Sequence, residues 1–144
     1  MSNAARLRAA ATQVDLQPVI GSRLTGFASR LSPSIDCHDP LIARLLLLDD
    51  GATRLALIVC DLIGFSTADD AQLRRFVAKT LDMSAQNVLV SCTHTHSGPS
   101  SMPFRGTLAQ VDAAWLSRTL RAIIDAAAGL PARLRGTSTA SPRT

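Results

Sequence analysis

Apolar residues recur at strand spacing in four segments of the chain, which we predict to be β-strands: 9–16, 41–48, 54–60 and 87–93. Asp49-Asp50-Gly51 lies between the second and third segments, and an Asp-Gly turn between two apolar runs predicts a β-hairpin. Because both hairpin strands are almost uniformly apolar, we expect both of their faces to be covered.

Two further segments have the period of a helix. Hydroxyl and acidic residues at 66–70 are typical of a helix start, and this helix is predicted to end near Asp82. A second, amphipathic helix is predicted from about Leu108 to Gly129, with apolar positions spaced by four, three and four residues: Leu116, Leu120, Ile123 and Ala127. The order of the elements predicts an α/β fold, a mixed sheet with covering helices.

The remaining segments lack a regular period. Residues 17 to about 39 contain Gly21, Gly26 and Pro33 without any helical pattern, so we predict a long loop with functional potential. The last nine residues, 136–144, predict an unstructured tail, which leaves 1–135 as one folded segment.

Composition excludes several classes of protein. With 47% hydrophobic and 18% charged residues, the 144-residue chain is apolar enough to fold as a single domain. The formal charge of +4 comes mostly from scattered arginines, and the chain has one Trp and no Tyr, so we expect no nucleic-acid partner.

The three cysteines are odd in number and form no CxxC pair, which argues against a disulfide framework. We find no signal-peptide pattern, and no apolar segment approaches the ~20 residues that cross a bilayer. We therefore expect a soluble, cytoplasmic chain without a transmembrane segment.

The strongest candidate for chemistry is His94-Thr95-His96, which follows the last predicted strand. On an extended backbone, residues i and i+2 point the same way, so both imidazoles could face one site. Imidazole is a good zinc ligand, and the amides of the Ser97-Gly98-Pro99 bend could support an oxyanion. The alternative is a chance pair whose rings bond backbone carbonyls near a loop.

Three other residues have a weaker claim. Asp61 follows a predicted strand and could be a functional carboxylate or the acceptor of a loop amide. His38 precedes Asp39-Pro40, and we favour a loop histidine beside a turn because neighbouring side chains point apart. Ser97 adjoins His96, but adjacent residues rarely reach the geometry of a nucleophile and its base.

Four separate segments together resemble the neutral/alkaline ceramidase family. Residues 37–44 and 47–51 are similar to its HDPLYAR…LDDG stretch, and residues 60–64 are similar to its CDL.G strand end. Residues 88–99 end in THTHSGP, the family's metal loop, and the 21–30 loop with Gly26-Phe27 and Arg30 also fits. Order and spacing agree across nearly all of residues 8 to 135.

The resemblance implies the N-terminal part of the catalytic domain of a zinc-dependent amidohydrolase. Such an enzyme cleaves the N-acyl bond of ceramide-like lipids, releasing a fatty acid and a sphingoid base. It implies that His94 binds zinc and that His96 lies beside the substrate and takes part in catalysis. In the family a further His, a Glu, a Tyr and the catalytic Ser come later in a much longer domain.

This chain departs from the family in its ligand types. No His follows His96, and the sequence contains neither Glu nor Tyr. We therefore expect an incomplete zinc site and little or no activity, while the oligomeric state stays open. One alternative is a non-catalytic metal- or lipid-binding module that retains the HxH loop. Another, an HxH-containing amidohydrolase barrel, needs 200 or more residues.

Overall fold

The computed structural model describes residues 7–103 and 110–136. Within them a five-stranded sheet has the strand order β4-β3-β2-β1-β5. The strands are β1 (Arg8–Asp15), β2 (Ile42–Asp49), β3 (Arg54–Cys60), β4 (Val88–Cys92) and β5 (Arg135–Gly136). The helices are α1 (Thr67–Thr80) and α2 (Ala113–Ala128), and short 3₁₀ turns lie at Ala85–Asn87 and Pro131–Arg133. The predicted mixed α/β sheet is confirmed.

The sheet contains antiparallel and parallel pairs. A tight turn joins β2 to β3, the long 17–39 loop joins β1 to β2, and both of these pairs are antiparallel. The helix α1 intervenes between β3 and β4, and that pair is parallel, as a helical crossover requires. The parallel pair places the ends of β3 and β4 side by side, with Cys60 opposite Cys92.

Both helices pack on one face of the sheet. There α2 contacts β1 and β2, and α1 contacts β4 and α2. The buried side chains of β2 and β3 on this face meet the apolar stripes of the helices: Ala43, Leu45, Leu47, Ala56, Ile58, Leu73, Val77, Leu116, Leu120 and Ile123. This core positions the loops at the ends of the strands.

The opposite face of the sheet is not covered by any described residue, so the expectation of two covered faces is wrong for this part of the chain. Strand register aligns one apolar row across four strands: Ala11, Leu46, Leu57 and Leu89. Burial alternates along both hairpin strands, although their sequences do not, and Leu89 is 52% exposed. A uniformly apolar strand thus does not reveal which of its faces is packed.

Side-chain caps fix the start of each helix. The Ser66 hydroxyl accepts a hydrogen bond from the Asp69 amide at 3.1 Å, as predicted for the first helix. Asp112 caps α2 by accepting from the Trp115 amide at 2.9 Å. The second helix therefore begins at Ala113, five residues later than predicted, and residues 104–109 lie outside the described ranges.

Trp115 joins α2 to the loop that follows β1. Trp115 is 2% exposed, and its Nε1 donates a hydrogen bond to the Leu16 carbonyl at 2.8 Å. This pairing satisfies the polar atom of an otherwise apolar ring, so the helix is held in one position on the sheet.

The C-terminal part of the described chain adds an edge strand that we did not predict from the sequence. Gly136, which we expected in the unstructured tail, pairs with Arg8 in the short strand β5. The rest of the predicted tail, 137–144, lies outside the described residues. In the part of the chain that the structure describes, no helix has the length and hydropathy needed to span a membrane.

The β2–β3 turn contains a buried carboxylate. Asp49, whose side chain is 4% exposed, accepts hydrogen bonds from the Gly51 amide at 2.7 Å and from Arg54 Nε at 3.1 Å, and from Arg8 Nη2 at 3.0 Å. These bonds, in that order, hold the pKa of Asp49 below its ordinary value of 3.8 against the opposing effect of burial. In its charged form the carboxylate links β1, β2 and β3.

We predict that Asp49→Asn lowers the free energy of unfolding at pH 7 by about 2 kcal/mol, because it weakens charge-assisted bonds to a buried group. The lowered pKa means that this stabilisation is present above about pH 3.8 and is lost as the pH falls through the folded-state value. Urea titrations at pH 7 and pH 3 should therefore show a smaller loss of stability on acidification in the variant. Asp125→Asn on α2 is the control and should reproduce the wild-type pH dependence.

Candidate functional site

The candidate site lies where β3 and β4 end beside each other. One residue beyond the end of β4, the Thr93 amide donates a hydrogen bond to the Cys60 carbonyl at 3.0 Å. The segments that follow β3 and β4 therefore begin next to each other. After β3 the chain forms the turn 61–64, and after β4 it enters the segment 94–99. The parallel pairing therefore places the histidine segment directly beside the turn that follows β3.

His94 is oriented by that turn. Its Nδ1 lies 2.7 Å from the carbonyl oxygen of Ile63. Because a carbonyl only accepts, Nδ1 carries the proton of this bond, and in the neutral ring Nε2 then holds a free lone pair. Metal-ligating histidines in proteins are held in this way by a second acceptor. The bond to a backbone carbonyl, which we considered as the alternative to metal binding, thus leaves His94 suited to be a ligand.

The rings of His94 and His96 are neighbours, but not for the reason that the sequence suggested. The backbone at His94 has a φ of +60°, so the segment is not extended there. This left-handed turn costs about 1–2 kcal/mol for a residue with a Cβ. It brings the two rings to a centroid distance of 5.2 Å with an interplanar angle of 63°. Proximity of the two imidazoles is confirmed, whereas the extended geometry is wrong.

The long 17–39 loop folds against the histidine segment. The Thr25 amide donates to the Gly98 carbonyl at 2.9 Å, and Phe27 contacts the His96 ring edge-on at a centroid distance of 5.0 Å. Gly26, with a φ of +102°, lies so close that an added Cβ would be 2.9 Å from His96 Cα and nearer still to its Cβ and Cγ. Only glycine satisfies both constraints without a shift.

Arg30 connects the two segments. Its Nη1 donates to the His96 carbonyl at 2.6 Å and to the Thr25 carbonyl at 3.2 Å. Its guanidinium carbon lies 4.9 Å from the centre of the Phe27 ring, within the range of a cation–π contact. Arg30, Phe27 and His96 thus form one continuous set of contacts.

The other candidates from the sequence do not join this group. Asp61 accepts from the Ile42 amide at 3.2 Å and from Arg44 at 3.3 Å, which is the structural role of the two that we considered. His38 bonds the adjacent Asp39 at 2.8 Å, although we expected neighbouring side chains to point apart, and its side chain is 97% exposed. We find no functional geometry for either residue.

The bend after the histidines offers fewer free amides than the sequence suggested. The Ser97 amide donates to the Thr95 hydroxyl at 3.2 Å, and Pro99 has no amide hydrogen. Among the described residues, no hydrogen bond joins the Ser97 hydroxyl to either imidazole, so its weak claim as a nucleophile gains no support. Ser101 is fully buried, and its hydroxyl donates to the Gly64 carbonyl at 2.6 Å, which fastens this bend to the turn after β3.

The cysteines that precede these two segments are not poised for nucleophilic chemistry. Burial raises the pKa of the Cys60 thiol to about 12 and that of the Cys92 thiol to about 11. Both thiols are therefore protonated at neutral pH. Their positions opposite each other in β3 and β4 make them part of the packed sheet.

The donors among the described residues do not complete a zinc site. His94 fits as a ligand, and the ring of His96 lies beside it. A catalytic zinc ion takes three protein ligands and keeps one open position. Across residues 7–103 and 110–136, no group of three or more His, Cys, Asp or Glu side chains could hold a metal ion. We therefore derive no catalytic step through zinc from this chain alone.

The fold of this chain is similar to part of two solved ceramidase structures. The chain matches a crystal structure of neutral ceramidase from Pseudomonas aeruginosa with a TM-score of 0.71, and a structure of a ceramidase complexed with C2 with a TM-score of 0.72. The chain has the fold of a part of neutral ceramidase. In both cases the match covers 92% of this chain at 20% sequence identity.

The match is partial in the other direction. The chain spans 22% of the length of each ceramidase chain, so most of each ceramidase chain lies outside the match. No protein-family model matches the sequence, and no curated protein matches it significantly. The comparisons confirm the predicted fold, and the roles of His94 and His96 stay predictions.

Residues that support the histidines were only partly visible in the sequence. Gly26, Phe27 and Arg30 stood out through the family resemblance, but nothing assigned them a contact with His96. The carbonyl of Ile63 could not have been predicted as a partner of His94, because any residue type provides one. Gly26 offered the clearest signal, since a glycine inside a long loop often marks a close approach of two backbones.

We predict that Gly26→Ala displaces the His96 segment, whereas Gly21→Ala does not. Both glycines have a positive φ, +102° and +92°, so both variants share the backbone penalty of about 1 kcal/mol. Only at Gly26 would the new methyl group meet His96, which should cost roughly a further 2 kcal/mol. Denaturant titration measures the difference, and equal stabilities of the two variants would contradict the close contact.

Proposed function

We propose that this chain forms one metal-binding corner of a zinc-dependent amidohydrolase that cleaves the N-acyl bond of ceramide-like lipids. The observation that carries the proposal is the orientation of His94. The Ile63 carbonyl holds Nδ1, Nε2 is free, and the His96 ring lies beside it. The fold shared with part of neutral ceramidase supports the choice of reaction class.

In this proposal His94 is the zinc ligand, and His96 lies beside the substrate and takes part in catalysis. The surroundings of the two rings agree with different roles. His94 is solvent-exposed at the end of β4, with its position set by a hydrogen bond from the ring itself. His96 is half-buried, and its position is set by a hydrogen bond to its carbonyl and by the contact of its ring with Phe27. When bound, zinc would polarise the amide carbonyl and activate a water molecule.

We further propose that the 144-residue chain has little or no activity by itself. A three-ligand site needs donors beyond the histidine pair, and the sequence contains no Glu, no Tyr and a single other His, His38. His38 pairs with Asp39 and is almost fully exposed. The missing donors would have to come from another polypeptide segment, and a cytoplasmic location stays a prediction.

A second candidate is a non-catalytic module that binds metal or lipid through the same histidine segment. The specific observation in its favour is the small donor set, since two imidazoles can bind zinc weakly without creating a catalytic site. The two candidates differ in one measurable way. If the chain is part of a hydrolase, adding a polypeptide segment that supplies the missing donors would produce amidase activity. If the chain is a binding module, it would not.

We predict weak zinc binding by the purified chain that depends on His94. In calorimetric titration, His94→Ala should bind zinc at least ~10-fold more weakly than the wild type. Loss of an outer-shell partner alone typically has an effect of this size, and here the ligand itself is removed. His38→Ala is the matched control and should bind zinc like the wild type. The same samples should show no hydrolysis of a short-chain ceramide.

Two results would contradict this proposal. Zinc affinity that is unchanged in His94→Ala would remove His94 from the site. Zinc-dependent turnover by the isolated chain would show that a complete catalytic site has formed from residues that this proposal leaves out.

A further inference from the structure

Arg30 is a charged side chain of the long loop that donates a hydrogen bond to the histidine segment. It belongs to none of the proposed roles, since it contacts His96 through the backbone and not through the imidazole. Its side chain is nevertheless half-buried, which is costly for a cation unless its donors are used. The contacts that it makes therefore indicate what it does.

The first set of contacts fixes the backbone. The two N–H groups of Nη1 can serve both carbonyls, those of His96 at 2.6 Å and of Thr25 at 3.2 Å. Thr25 is itself bonded to Gly98 through its amide. Together these bonds connect the loop to the histidine segment on both sides of Ser97. They restrict the rotation of the peptide units from which the His96 side chain projects.

The second set of contacts fixes the ring. The guanidinium lies over Phe27, and Phe27 lies edge-on against the His96 ring, which in turn contacts His94. The Arg30 amide also donates to the Phe27 carbonyl at 3.1 Å, so the loop turns back on itself between these residues. Gly26 adds the remaining wall, because it leaves no space for the His96 side chain to move towards the loop.

We propose that Arg30 is a positioning residue that holds the ring of His96 beside the ring of His94. It acts through the His96 carbonyl and the face of Phe27. A planar guanidinium can donate to carbonyls in its plane while its face lies on an aromatic ring. A lysine ammonium can reach one carbonyl but has no plane to stack. The relevance of this role to zinc rests on the proposed function, whereas the orientation of His96 can be measured without metal.

The test uses the whole chain without metal and reads the ring signals of its three histidines by ¹³C–¹H NMR. In Arg30→Met the ring signals of His96 should shift, because the ring loses its fixed position against Phe27. The signals of His38, which is exposed and paired with Asp39, should stay in place. Arg23→Met in the same loop is the matched control, since Arg23 is exposed and makes no side-chain hydrogen bond or ion pair within residues 7–103 and 110–136.

A second readout is zinc affinity. Because His94 is the proposed zinc ligand and is held by the Ile63 carbonyl rather than by Arg30, we expect Arg30→Met and Arg23→Met both to bind zinc with the wild-type affinity. If the wild type binds no zinc but His96 still shifts in Arg30→Met, the proposed function fails and the positioning role stands. His96 signals that are unchanged in a folded Arg30→Met variant would overturn the positioning role.

Two further variants keep the proposal testable if Arg30→Met does not fold. Arg30→Lys keeps the charge and one donor but loses the stacked plane, and Phe27→Leu keeps the apolar bulk but loses the aromatic face. Both should shift the His96 signals while leaving those of His38 in place. A folded Arg30→Lys variant with wild-type His96 signals would contradict the role that we assign to the guanidinium plane.

Discussion

The parallel pairing of β3 with β4 is the constraint on which the candidate site depends. It places the ends of two strands side by side, so the carbonyl of Ile63 from one connection meets the imidazole of His94 from the other. The helix α1 makes this pairing possible because a parallel crossover needs a long connection. Both helices pack on one face of the sheet, and the hydrogen bond from Trp115 to the Leu16 carbonyl holds α2 there. This packing fixes the positions of the strand ends.

The histidine segment receives its second constraint from the 17–39 loop. Three kinds of contact meet there: a close backbone approach at Gly26, an aromatic contact from Phe27 and hydrogen bonds from Arg30. The loop has no secondary structure of its own, but it determines where the His96 ring can lie.

Local patterns predicted the first four strands and the first helix well, because an apolar run, an Asp-Gly turn and a hydroxyl cap each act within a few residues. They predicted the proximity of His94 and His96 for the wrong reason, since the backbone at His94 is left-handed and not extended. The ring of His94 bonds the carbonyl of Ile63, 31 residues away, which no local pattern indicates. The late start of α2 at Ala113 and the uncovered sheet face were also missed. The start of α2 is set by the local cap at Asp112, which the helical period does not mark. The uncovered sheet face depends on tertiary packing, which a uniformly apolar strand does not specify.

We propose that this chain supplies an incomplete zinc corner, with His94 as the ligand and His96 beside it. X-ray absorption at the zinc edge, with protein in excess over metal, counts the ligands directly. We predict one or two imidazole nitrogens at about 2.0–2.1 Å, with the remaining positions taken by water oxygen. A first shell with three or more protein ligands, or with sulfur, would contradict the account, because a complete site would then have formed from residues that this structure keeps apart.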